Sequence, residues 1–175
     1  MAAHINVMDW DFFLHMFKNV VYGLDNKVQE ELYKRRPYDS NEHILEQLMS
    51  IIDELCQEEK ISMLKKYPDL AGKLYEAKSL SPESTMEQTT AGVHLLSPHQ
   101  REKLQEYNAA YRKIFGFPFI ICARENKVFA ILDGLHSRLS HSPDTEMDVG
   151  VAEVKKIAKL RAQDVLNMLT VKSKL

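Results

Sequence analysis

Between residues 41 and 56 the apolar positions Ile44, Leu45, Leu48, Ile51, Ile52 and Leu55 recur at steps of three and four, so this segment reads as a helix with one apolar stripe. The same period runs through Trp10, Phe13, Leu14 and Phe17, with Asp9 placed as the cap. Ser97-Pro98-His99-Gln100 puts a capping serine, a first-turn proline and a third-position amide before Leu104, Tyr107, Tyr111 and Ile114, and Gly116 is placed to end that helix. Ile131, Leu132, Leu135 and Leu139 mark a further helix, and Ser142-Pro143-Asp144 breaks the chain before a long last one. Only Phe117–Ala123 reads as extended, and a strand without partners builds no sheet. The pattern predicts an all-α, single-domain bundle of about eight helices over residues 1–172, with one extended segment.

Composition changes this picture little. Of 175 residues, 45% are hydrophobic and 27% charged, and 23 basic against 25 acidic side chains give a net charge of −2. That balance, with no basic stripe interleaved with aromatics, argues against a nucleic-acid partner. No apolar run reaches the roughly 20 residues of a membrane span, and the start lacks the pattern of a secretory signal. Cys56 and Cys122 stand alone, which reads as two free thiols in a reducing compartment. The seven histidines have no metal-ligand spacing, and phosphate loops and GxSxG elbows are absent from the sequence. Ser173-Lys174-Leu175 matches the tripeptide read by the peroxisomal import receptor, so residues 173–175 are expected to be an address and the compartment the peroxisome.

Three features exceed the needs of a plain bundle. In the stripe Val154, Ile157, Ala158, Val165 and Met168, Arg161 falls at a core-facing step. It is either a snorkelling side chain or a buried cation whose fork of donors awaits a carboxylate. Ser81 and Pro82 start a short helix whose face carries Ser84, Glu87, Gln88 and Ala91, either solvated or part of a site, and Gly92 ends it. The backbone groups of Phe117–Ala123 need partners, supplied either by neighbouring helix ends or by a flat amide- or urea-like ligand.

Four motifs together carry a resemblance: Pro68-Asp69-Leu70-Ala71-Gly72; Ser81-Pro82-Glu83-Ser84 with Glu87-Gln88; Phe115-Gly116-Phe117-Pro118-Phe119-Ile120-Ile121-Cys122-Ala123-Arg124; and Glu153-Val154-Lys155-Lys156-Ile157 with Leu160-Arg161. In this order and register the chain resembles the 2-oxo-4-hydroxy-4-carboxy-5-ureidoimidazoline (OHCU) decarboxylases of urate degradation, over nearly its whole length. The resemblance implies a cofactor-free helical enzyme, usually a homodimer, that converts a small ureidoimidazoline carboxylate to S-allantoin and carbon dioxide. It also implies a catalytic role for Glu87 and Arg161. The substrate wall it implies is Pro68, then Ser84, Thr85, Met86, Glu87 and Gln88, then Phe119, Ile120, Ile121, Cys122 and Ala123. A peroxisomal tripeptide suits the animal branch of that family.

The chain departs from the family at two places. Tyr67 stands where the family has its proton-transfer histidine, before Pro-Asp-Leu-Ala. A phenol titrating at about 10 instead of an imidazole at about 6.5 leaves about one group in a thousand ionised at neutral pH; as a base that costs about 4 kcal/mol, partly offset by the stronger basicity of phenolate. A phenol that only hands a proton to a carbanion escapes that cost. Lys18-Asn19-Val20-Val21-Tyr22 replaces a Gly-Asn-Val-Val-Glu-like run followed by proline, so an acid is missing at Tyr22. These changes leave open a second function, a catalytically impaired ureide-binding homologue or a non-enzymatic partner of a urate-pathway enzyme, and a third, a purely structural helical dimer.

Overall fold

Side-chain caps close the helix ends that position the candidate site. The computed structural model describes residues 3–70, 72 and 79–172. A short α1 (Ala3–Asn6) precedes α2 (Trp10–Phe17), where the Asp9 carboxylate accepts from the Phe12 N–H at 2.8 Å. Then come α3 (Lys27–Lys34), α4 (Asn41–Glu54) and α5 (Gln57–Leu64). They are followed by α6 (Pro82–Ala91), α7 (Pro98–Phe115), α8 (Val128–Arg138) and α9 (Pro143–Lys172). Among the described residues there are nine α-helices and no strand, an all-α chain as the periodicity predicts. The pattern does not single out α1, α3 and α5, which are short and carry only a few apolar positions each. Ala71 and the tripeptide Ser173-Lys174-Leu175 lie outside the described residues.

The chain divides into two compact units, Met1–Met63 with Lys155–Leu175, and Leu64–Val154, and α9 contributes residues to both. In the first unit Phe13 and Phe17 stack with ring centroids 4.5 Å apart, and Tyr33 meets Phe13 edge-on at 5.3 Å. Ile44, Leu45, Leu48, Ile51 and Ile52 are all buried, so the stripe of α4 is core. The buried Gln29 amide donates to the carbonyls of Val21 at 3.0 Å and Phe17 at 3.3 Å. Those bonds tie down the run 18–22, which no helix holds.

In the second unit the capping box of α7 is complete: Ser97 Oγ accepts from the Gln100 N–H, and Gln100 Oε1 accepts from the Ser97 N–H. At the other end Gly116 takes φ 75°, a left-handed turn that a side chain disfavours, and the chain leaves α7 there into the segment 117–123. Gly150 in α9 has another reason to be small. A Cβ there would sit 3.3 Å from the Leu64 side chain and 3.6 Å from Phe117. Tyr111, Phe117 and Phe119 form an edge-to-face aromatic cluster beneath the segment.

Candidate active site

Helix α6 opens on Ser81, whose hydroxyl accepts from the Ser84 N–H, with Pro82 in the first turn. At helical spacing Ser84, Glu87, Gln88 and Ala91 share one face, and all four are buried; Glu87 is only 6% exposed. A solvated face is therefore the wrong reading of this helix. Thr85 and Met86 fall on its outer side, with Met86 52% exposed. The Glu87 carboxylate lies 3.5 Å from the guanidinium of Arg124, the residue immediately after the segment 119–123. This ion pair joins α6 to the end of that segment.

The segment stays irregular, and its anchoring alternates. The Ile120 carbonyl accepts from Arg138 Nη1 at 2.8 Å. The Cys122 N–H donates to Glu153 Oε2 at 2.7 Å, and its carbonyl accepts from the Asn126 side chain at 2.9 Å. Neither the N–H nor the carbonyl of Ile121 has a hydrogen-bond partner among the described residues. Phe119, Ile120, Cys122 and Ala123 are buried and Ile121 is half-buried. The connector reading holds for Cys122, whose N–H and carbonyl both bond within the protein, while Ile121 keeps its groups without a partner among the described residues. Burial pushes the Cys122 thiol above its ordinary range, with Glu125 adding to the effect.

Tyr67 follows α5 in a turn, its N–H donating to the Leu64 carbonyl at 3.2 Å, and its side chain is 5% exposed. With Pro68, Asp69, Asn108 and Arg112 it lines a cleft of about 640 Å³. Asn108 donates to the Leu70 carbonyl at 3.0 Å, and Arg112 Nε pairs with Asp69 at 2.9 Å. The Pro-Asp-Leu motif is thereby fastened to α7. Residues 84–88 and 119–123 are not among the residues lining that cleft.

In the first unit Arg161 is 3% exposed, so it does not snorkel. Its Nη1 donates to the Asn19 carbonyl at 2.7 Å, and its Cζ lies 4.8 Å from the Tyr22 ring centroid. An aromatic ring thus meets the guanidinium at Tyr22, the position where the resemblance implies an acid. Sequence reasoning missed Arg124, Arg138, Asn126 and Glu146. Arg124 and Glu153 lie inside two of the quoted motifs; Arg138 and Glu146 carry no local signal.

The family model for OHCU decarboxylase matches residues 6–163. A 2-oxo-4-hydroxy-4-carboxy-5-ureidoimidazoline decarboxylase from Amia calva is 36% identical over 172 residues, spanning 98% of this chain and 97% of the relative. The Mus musculus protein of the same name is 34% identical over 162 residues, spanning 93% and 90%. Among solved structures, an OHCU decarboxylase in the presence of (S)-allantoin superposes with a TM-score of 0.71 at 20% identity, covering 91% of this chain and 99% of that one. An (S)-allantoin synthase reaches 0.72 at 21% identity over 94% of this chain and 54% of that one. At that identity the two structures show a shared fold.

Proposed function

Because this chain belongs to the OHCU decarboxylase family, we propose that it decarboxylates 2-oxo-4-hydroxy-4-carboxy-5-ureidoimidazoline to (S)-allantoin and carbon dioxide in urate degradation. Breaking the bond to the carboxylate carbon releases carbon dioxide and leaves an electron pair on a ring carbon. The neighbouring carbonyl and ring nitrogens spread that charge, and one proton must then arrive on one face. The protein's task is orientation, charge stabilisation and proton placement.

The observation that carries this reading is the buried Glu87, tied by Arg124 to the end of the 119–123 segment. In our reading the free donor and acceptor of Ile121 hold the ureido amide as a neighbouring strand would. Glu87 orients the proton-transfer partner. Tyr67 delivers the proton as a neutral phenol, the one role in which the change from histidine costs little. Tyr67 is also what favours the alternative of a ureide-binding relative without turnover. We further propose a homodimer, on the family resemblance, and a peroxisomal address in the final tripeptide.

Circular dichroism on freshly prepared substrate separates the two readings. An active enzyme builds an excess of (S)-allantoin, whereas spontaneous decay yields a racemate; no excess over the blank overturns turnover. Tyr67→Phe should lower the rate by about 10²-fold or more, as expected for loss of a general acid. Tyr67→His should raise it. An unchanged rate in Tyr67→Phe removes Tyr67 from the chemistry.

A further inference from the structure

Beneath the 119–123 segment lies a polar cluster that the reaction as derived above does not use. Glu146, in the first turn of α9, is fully buried. Its Oε1 accepts from Arg138 Nε at 2.6 Å, from Arg138 Nη2 and from the Tyr111 hydroxyl, while Oε2 faces His141 Nδ1 at 2.7 Å. A buried carboxylate and guanidinium are costly to desolvate and are kept only when geometry repays them. Here the guanidinium is spent on two tasks. One edge is locked on Glu146; the remaining nitrogen, Nη1, reaches the Ile120 carbonyl, and the flat face covers the Phe119 ring with Cζ 4.4 Å from its centroid.

The grip falls on consecutive residues of a segment whose anchors alternate. In an extended chain the backbone groups of successive residues point to opposite edges. The protein holds the Ile120 carbonyl through Arg138, and the Cys122 N–H and carbonyl through Glu153 and Asn126. Between these two anchors, Ile121 keeps both its N–H and its carbonyl without a partner among the described residues.

We propose that Arg138, locked by Glu146, is a positioning residue for the reaction, gripping the Phe119 ring and the Ile120 carbonyl so that the Ile121 N–H and carbonyl are the pair offered to the substrate. This rests on the function proposed above. It concerns only which backbone edge is presented, and it predicts effects that appear without turnover.

The test uses the full chain, its Arg138→Lys variant and amide hydrogen exchange read by NMR. In the unaltered protein the Cys122 amide should be protected, and the Ile121 amide should exchange freely until (S)-allantoin is added and then slow. A lysine can reach Glu146 or Ile120 but lacks the planar fork for both. In ligand-free Arg138→Lys, exchange at Cys122 should therefore rise about tenfold while the rest of the second unit keeps its protection. Its KM should rise about tenfold with kcat within about twofold, since a mispresented edge weakens binding rather than chemistry. A folded Arg138→Lys with parental exchange at Cys122 and parental KM overturns the proposal. So does an Ile121 amide already protected in the unaltered, ligand-free protein, a result that holds even if the variant fails to fold. If circular dichroism finds no excess of (S)-allantoin over the blank, the decarboxylase reading is overturned, while ligand-free exchange at Cys122 still decides the role of Arg138.

Discussion

Burial acts on single phenols here with a definite sign. Burial pushes Tyr38 up to about 12 against the opposing pull of Arg35 and Arg36, and its hydroxyl donates to the Leu32 carbonyl. Burial, reinforced by the hydrogen bond to Glu146, moves Tyr111 upward too. Both folded values lie above the unfolded value of about 10, so above that pH the folded state holds protons the unfolded chain has released. The stability these phenols supply is complete below pH about 10 and is lost as pH rises toward about 12. Urea unfolding between pH 8 and 11.5 should show a flat region followed by a decline. Tyr38→Phe should remove part of the decline while costing about 1 kcal/mol at neutral pH for the lost hydrogen bond. An undiminished decline would show that other groups carry it.

At the scale of the element, caps explain why so many boundaries were legible. Asp9, Ser40, Ser81 and Ser97 each accept a bond from a backbone N–H three residues on, and Gly92 and Gly116 end their helices with positive φ. These are contacts within a few residues, so the local sequence carries them. Ser97→Ala should cost about 1 kcal/mol, read as a lower melting temperature with the fold unchanged by circular dichroism. No loss would mean that α7 draws its stability from packing alone. Stripes were less reliable at their ends. Ile114 and Met168 continue the apolar period of α7 and α9 yet are exposed, because a helix that outruns its packing partner keeps the pattern without the contact.

At the scale of the whole molecule, the long α9 serves two units with different polar groups. It gives Glu146 and Glu153 to one and Arg161 to the other. The address proposed for Ser173-Lys174-Leu175 is also a property of the whole chain, since a receptor must read it on the folded protein. A fluorescent protein fused at the N-terminus should enter peroxisomes, and deletion of these three residues should leave it in the cytosol. Unchanged import after the deletion would remove the tripeptide from consideration.

What the sequence determined by itself is what short range decides: the helical class, the caps, the breaks at proline and glycine, and four motifs in register that mark the family. The fate of each polar group was settled only in three dimensions. Whether Ser84, Glu87 and Gln88 are wet or buried, and whether Arg161 snorkels, depends on what packs over them. The deciding bonds span 18 residues from Arg138 to Ile120, 31 from Glu153 to Cys122 and 142 from Arg161 to Asn19. A buried donor must find an acceptor somewhere, but its position along the chain does not say where. Only the packed fold engages the Ile120 carbonyl and both groups of Cys122, and leaves those of Ile121 without a partner among the described residues.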